Sequence, residues 1–492
     1  MLLLQLLFLS ICGALLAALV RPYRAFVGIG SVVISGLQFA GGMAIARQCL
    51  THGVEAIGPG EFLRVDGLAA IFLLVVTGVA WISLWFGVSY LNRGLDSGHF
   101  TEAHLSRYYI LTHLFVLTML FAVMVNNVGV MWVAIEATTI TSAFLVGLRQ
   151  SKSSLEASWK YILIGSVGIA LAFLGTVLGY FNFVQRVGET AYALHWTVLC
   201  QVAGGLNADV LRLSFIFIVV GYGTKAGLAP MHTWLPDAHS EAPAPISSIM
   251  SGALLTVALY AILRWKVVVD ARLGVSYTNH VLVLIGALSV SVAALLLIRQ
   301  SNYKRMLAYS SVEHMGLICL GFGLGPLGCF ASLIHLLNHA AGKSMMFLLS
   351  GSMLHRYGST RMDAVRGFMR AMPWTGGLFL VGGLALLGMP PFGIFVSEFL
   401  LFRAGLVSAH PWVAGLIAVL IVLIFISFLG YLNRLLYREA PLETPSEAPH
   451  AVHDSLALLP LVLNVGAMVI IGLLIPDPVV RLLHQAVEII LP

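Results

Sequence analysis

Lys225 stands in GYGTKAGLAPMHTWLPDAHSEAPAPISS (residues 221–248), an apolar run that is cut at Pro230 and then meets His232, Asp237, His239 and Glu241. An ammonium at membrane depth costs roughly 2.5–3.5 kcal/mol on insertion scales, so this lysine needs a compensating partner. Pro230 lacks a backbone donor and clashes with the preceding turn, which predicts an interrupted helix just past the lysine. A charge beside freed carbonyls and a wet cavity is what a transport pathway requires. A second misplaced charge, Glu136, lies in MWVAIEATTITSAF among Thr138, Thr139, Thr141 and Ser142. A buried carboxylate and a buried ammonium relieve each other's desolvation, so Glu136 and Lys225 suit each other as a pair, either for ion transfer or as a purely structural contact.

His335, His339 and Lys343 follow one another in LIHLLNHAAGKSMMF at i, i+4 and i+8, which confines them to about 80° of one helical face. Their chemistry suits a proton relay. Zinc ligation by the two histidines is the rival, but the glutamate of an HExxH motif is missing, since Leu336 and Leu337 fill the intervening places, and a lysine on the same face repels a cation. Two histidines satisfied within a core are the third reading. Glu398 follows the Pro390-Pro391 interruption in GMPPFGIFVSEF; it suits an exit group, with a snorkelling interfacial residue as the alternative. Glu313 and His314 are adjacent and therefore point about 100° apart on a helix, so they are not expected to face one path.

The elements that must hold these residues are membrane helices. The chain has 492 residues, 59% hydrophobic and 10% charged, with a mean hydropathy of +0.95, which excludes an ordinary soluble core. The net charge of +6 comes from basic residues scattered over short loops, so it sets topology rather than binding nucleic acid. Cys12, Cys49, Cys200, Cys319 and Cys329 lie far apart with no CxxC, so neither a metal site nor an iron-sulfur or other cofactor is expected.

Apolar runs give fourteen expected spans: 1–20, 26–46, 67–91, 108–126, 128–148, 160–184, 211–230, 244–264, 278–298, 306–324, 327–353, 373–403, 411–433 and 456–475. The first is read as a retained helix, since it lacks a basic leader. Residues 185–210 and 436–455 read as loops, and the closing PDPVVRLLHQAVEIILP as an amphipathic interfacial helix or a frayed tail. Sixteen lysines and arginines follow odd-numbered spans against nine that follow even-numbered ones, among them Arg264 and Lys266. That bias puts both termini outside the cytoplasm.

Breaks at Pro230 in the seventh span and Pro390-Pro391 in the twelfth are five spans apart, hence oppositely oriented. They predict an all-α polytopic fold in which spans four to eight recur, inverted, as nine to thirteen. The resulting division is residues 1–100 (helices 1–3), 101–270 (first repeat), 271–435 (second repeat) and 436–492 (loop, helix 14 and tail).

MWVAIEATTITSA, GTKAGLAPMHTWLPDAHSEAPAPIS, YKRMLAYSSVEHMG, HLLNHAAGKSMMFL and GMPPFGIFVSEF, in that order, resemble the antiporter-like subunits of respiratory complex I, Mrp-type cation/proton antiporters and membrane-bound hydrogenases. The resemblance covers about residues 100–430, and SSVEHMG is more similar to the hydrogenase-4 component F type. It implies fourteen helices with interrupted seventh and twelfth members. It also implies a proton path of Glu136 with Lys225, then His335, His339 and Lys343, ending at Glu398, with His232, Asp237, His239, Thr256, Glu313 and His314 as accessory candidates. The implied partners are other membrane subunits of a complex I-like assembly, a peripheral redox arm, the bilayer, and protons or sodium, in a bacterial or archaeal inner membrane. One departure stands out: Thr256 occupies the eighth helix where complex I subunits commonly have lysine, so either water held by Thr256, Ser248 and the histidines bridges the gap, or the channel is altered or inactive. A self-contained or Mrp-like cation/proton antiporter, or an ion-coupled carrier, is the alternative function. An inert scaffold has no need of the buried charges, and an enzyme in its own right lacks a nucleophile-base pair or a metal set.

Overall fold

The computed structural model describes residues 1–439 and 455–491. The loop expected at 436–455 lies almost entirely outside the described residues. The first helices are α1 (Leu2–Leu19), α2 (Ala25–His52), α3 (Gly67–Asp96), α4 (Glu102–Met124), α5 (Val128–Val146), α6 (Lys152–Val187) and α7 (Trp196–Val202). The middle of the chain forms α8 (Ala208–Lys225), α9 (Trp234–Glu241), α10 (Ala244–Ile249), α11 (Leu255–Leu273), α12 (Val275–Leu297) and α13 (Tyr303–Phe322). There follow α14 (Gly325–Tyr357), α15 (Phe368–Ala371), α16 (Pro373–Leu386), α17 (Gly393–Val407), α18 (Trp412–Tyr437), α19 (Ser455–Leu473) and α20 (Asp477–Ile490). Strands β1 (Val54–Ile57) and β2 (Leu63–Asp66) add a small antiparallel hairpin, with Val54 opposite Asp66.

Among the described residues, ten helical segments are long and apolar enough to cross a membrane: α1 to α6, the stretch Ala244–Leu273, α12, α18 and α19. The other expected spans are helical too, but they either carry the ionisable groups, Lys225 in α8, Glu313 and His314 in α13, and His335, His339 and Lys343 in α14, or are cut in two, as α16 and α17 are. Polarity placed inside a helix lowers the apolar signal by which spans are recognised. Side-chain caps mark several starts: Asn127, Asn207 and Asn302 each accept from the two backbone N–H groups two and three residues on, and Asp66 accepts from Ala69.

Every residue from Ala244 to Asp270 is buried and α3 is buried over most of its length, whereas only about a third of α1 and of α2 is. The former two are the core of the bundle, and the latter present their apolar sides outward. Between α10 and α11 the chain forms a π turn, Met250–Leu254, a local widening of the helix.

Both interruptions exist. α8 ends at Lys225 and α9 starts at Trp234, with Pro230 between them; α16 ends at Leu386 and α17 starts at Gly393, with Pro390 and Pro391 between them. Gly388 turns the second break with φ +65°, and a Cβ there would lie 2.1 Å from the Glu398 carboxylate, so the position admits only glycine on both counts.

Three details correct the sequence reading. The expected loop 185–210 contains α7. The eighth span does not end at residue 264, because α11 runs on to Leu273, and Arg264 and Lys266 are buried inside it rather than lying in a loop. The closing segment is no frayed tail: α20 buries Leu482, Leu483, Ala486 and Ile490 and sets His484 against the ring of Phe330 at 5.0 Å.

Candidate functional site

Lys225 is the last residue of α8 and is completely buried. Its ammonium donates to Thr139 Oγ1 of α5 at 2.8 Å and to the Tyr161 hydroxyl of α6 at 2.5 Å, and lies 4.7 Å from the Tyr161 ring centroid. Thr139 in turn donates to Glu136 Oε2 at 3.0 Å, and Ser166 of α6 donates to Glu136 Oε1 at 3.0 Å. The expected pair is thus joined through a hydroxyl and not by direct contact. The helix break has a second use, since the Trp234 indole N–H of α9 donates to the Thr224 carbonyl at the end of α8, 2.8 Å away. That carbonyl also accepts from the Gly227 N–H at 3.2 Å, and the Trp234 and Tyr161 rings lie tilted with centroids 4.5 Å apart.

The second constellation lies between α13, α14, the π turn and α17. His335, His339 and Lys343 are all completely buried. His335 pairs through Nε2 with His314 Nδ1 at 2.9 Å and through Nδ1 with Ser397 Oγ at 2.9 Å. His339 Nε2 stands 3.3 Å from the Ser251 carbonyl, which belongs to the π turn. Lys343 donates to the Leu307 carbonyl of α13 at 3.1 Å. One ring of the His314–His335 pair must donate the shared proton while the other accepts, so which nitrogen carries it fixes the tautomers of both rings.

Glu313 and His314 were expected to face apart. The Glu313 carboxylate instead comes within 3.6 Å of His314 Nε2, and both are buried. Adjacent residues do diverge by a helical step, but α13 is enclosed on several sides, and long side chains close the angle. Glu313 lies within electrostatic reach of both Lys343 and Glu398.

Other candidates fall elsewhere. Asp237 is held by Arg305 at 2.7 Å and Lys160 at 3.4 Å in a partly exposed ion network, away from the buried groups. Thr256 is buried but donates to the Ala253 carbonyl of its own helix at 2.7 Å. His239 is buried and stacked on Phe347 at 4.6 Å; His232 is buried beside Tyr309. Ser248 pairs with Ser83 of α3 at 2.7 Å, and Ser251 with Ser311 of α13 at 2.8 Å. Among the described residues, no group of three or more histidine, cysteine or acidic side chains could hold a metal ion.

Sequence reasoning missed Tyr161, Ser166, Ser397 and the Ser251–Ser311 pair. Ser and Thr are common in membrane helices, where most bond their own backbone, so only the partner across the bundle distinguishes these. Tyr161 and Ser166, five residues apart in an apolar run, carried the one local signal.

A family model described as "NADH:quinone oxidoreductase/Mrp antiporter, TM" matches residues 125–425. The chain is 37% identical to "Hydrogenase-4 component F homolog" of Methylacidiphilum infernorum (isolate V4), over 83% of this chain and 84% of that one. It is 30% identical to "NADH-quinone oxidoreductase subunit N 2" of Symbiobacterium thermophilum, covering 80% and 78% of the two. Among solved structures, it superposes on a chain of the membrane-bound sulfane sulfur reductase, an archaeal respiratory membrane complex, with a TM-score of 0.86 at 26% identity, covering 99% and 97% of the two chains. The matched segment contains both broken helices and every buried ionisable group of the two constellations, and with it the chain belongs to the NADH:quinone oxidoreductase/Mrp antiporter family of integral membrane proteins.

Proposed function

We propose that the chain is a proton-translocating subunit of a complex I-related membrane assembly of the hydrogenase-4 or quinone-linked kind. The observation that carries this reading is the Lys225–Thr139–Glu136 bridge. A buried ammonium hydrogen-bonded to a hydroxyl, with its counter-charge one hydroxyl further on, can gain or lose a proton as that bridge opens or closes, whereas a direct ion pair would lock it. The His314–His335 pair, His339 and Lys343 continue the series, and Glu313 is within electrostatic reach of both Lys343 and Glu398. Hydroxyl pairs Ser83–Ser248 and Ser251–Ser311 take over where the central helix carries Thr256 in place of a lysine.

Fourteen crossings, the repeats over 101–270 and 271–435, a cell membrane location in a bacterium or archaeon, and both termini outside the cytoplasm belong to the same proposal. The basic-residue bias supports the orientation, and burial of Arg264 and Lys266 in α11 takes two charges from the minority side. Membership of a family named for antiporters favours one second reading, a cation/proton antiporter working without a redox arm.

Gentle-detergent purification of the tagged chain from its native membrane, followed by mass spectrometry of what accompanies it, separates the two. Co-purifying redox subunits support the first reading; a stable chain recovered alone supports the second. In either case Lys225→Ala should remove proton movement, and unchanged proton movement in that variant would defeat both.

A further inference from the structure

Ser397 lies one turn past the start of α17 and is completely buried. Its hydroxyl donates to the Ile394 carbonyl of the same helix at 2.8 Å, and the oxygen stands 2.9 Å from His335 Nδ1 of α14. A glycine one turn earlier lets the two helices come this close. A Cβ on Gly393 would overlap the Asn338 amide of α14, so a larger residue there would hold α17 away. A hydroxyl has one proton to give, and a carbonyl only accepts. The Ser397 proton is therefore committed to Ile394, and Oγ is left to accept an N–H from His335.

That one assignment fixes the next. A neutral imidazole carries a single N–H, so with it on Nδ1 the Nε2 of His335 is bare and must accept from His314 Nδ1, 2.9 Å away. His314 then also carries its proton on Nδ1. Its Nε2 is bare, has no hydrogen-bond partner among the described residues, and faces the Glu313 carboxylate at 3.6 Å. His339 is set independently, because its Nε2 meets the Ser251 carbonyl at 3.3 Å and must donate there. The series Ser397, His335, His314, Glu313 thus has a direction: each ring N–H points toward Ser397, and each ring lone pair toward Glu313.

We propose that Ser397 is a positioning residue that sets the tautomers of His335 and His314, so that Glu313 can deliver a proton to His314 Nε2 and the charge comes to rest on His335. The inference rests on the proton-translocation reading above for its use, but not for the tautomers. In this step the Glu313 carboxyl O–H bond breaks and a His314 Nε2–H bond forms. The His314 Nδ1 proton passes to His335 Nε2, which leaves a carboxylate at Glu313 and an imidazolium at His335. The proton stops there, because Ser397 could take it only by giving its own to a carbonyl. With the opposite tautomers, His314 Nε2 already bears a hydrogen and can receive none. Lys343 and His339 are the other ionisable groups within electrostatic reach of His314, and Lys343 and Glu398 are those within reach of Glu313.

The test uses the intact assembly, purified from its native membrane with isotopically labelled histidine. Solid-state NMR distinguishes Nδ1–H from Nε2–H imidazole, and the signals lost in His314→Phe and His335→Phe pick out the two rings. Both should carry Nδ1–H in the native protein; Nε2–H on His335 overturns the proposal before Ser397 is touched. Ser397→Ala should shift protons of the pair to Nε2 and slow proton movement in vesicles about tenfold or more. Ser397→Thr, which keeps the hydroxyl, should keep both the tautomers and the rate. A slower Ser397→Ala with native tautomers means a merely structural role and overturns the proposal, as does shifted tautomers with an unaltered rate where Lys225→Ala abolishes movement. An unaltered rate in Lys225→Ala strikes instead at the function, and the spectra still decide the tautomers.

Discussion

Helices α8 and α11 each bury basic residues, and the partners differ. On α11, Arg264 grips Asp66 with two hydrogen bonds of 2.7 and 2.8 Å, takes the Tyr260 hydroxyl at 2.8 Å, and lies 4.3 Å over the Trp196 ring. Two residues on, Lys266 pairs directly with Asp270, whose other oxygen accepts from Thr278 at 2.5 Å. On α8, Lys225 touches two hydroxyls and reaches its carboxylate only through one of them. Charges closed by direct bidentate or i,i+4 contacts are locked in one protonation state, because separating them exposes two uncompensated ions. A charge bridged by a hydroxyl keeps its alternatives close in energy. Buried charges in this bundle thus differ in the manner of their compensation.

That contrast is sharpest if the two kinds of lysine and arginine site are broken in turn. Lys225→Ala should lower proton movement by about 100-fold or more while the chain still assembles, because it removes a titrating group from the path; pH-dye quenching in vesicles reads the loss. Asp66→Ala should do the reverse. Leaving Arg264 buried and unpaired costs about 3–5 kcal/mol, visible as a lower yield and Tm of the assembled protein, and the double variant Asp66→Leu/Arg264→Met should regain most of both. A smaller effect falls on the bridge itself: Thr139→Val, isosteric but without the hydroxyl, should slow proton movement about tenfold, and Thr139→Ser should restore it. The least effect belongs to Asp237→Asn. Its partly exposed contacts with Arg305 and Lys160 are worth about 0–1 kcal/mol, so stability should shift little and transport not at all; a transport defect there would bring Asp237 back to the path.

Much of this architecture was legible beforehand. Long apolar runs must be helices in a membrane, since no other local structure satisfies their backbone there. Proline inside such a run must interrupt it, and Lys225, Glu136 and the His335–His339–Lys343 series were conspicuous because charge is rare among apolar residues. What could not be read was every relation across the bundle. Thr139 looked like its neighbours Thr138 and Thr141 until α8 placed an ammonium beside it. Glu313 was assigned to a different direction from His314, and the surrounding helices brought the two together. Arg264 and Lys266 resembled loop charges, yet Asp66, nearly two hundred residues away, and Asp270 hold them inside α11.

The amino-acid sequence by itself determined the membrane class, the two broken helices and the most conspicuous charges within the spans, Lys225, Glu136 and the His335–His339–Lys343 series, because those follow from hydropathy, proline stereochemistry and the cost of charge in lipid, all local properties. Only the tertiary structure decided which charges are closed in pairs and which are bridged by hydroxyls. It also decided that the Ser251 carbonyl of the π turn meets His339. Those outcomes depend on distances of about 3 Å between side chains far apart in the chain, and such distances are fixed by how the helices pack.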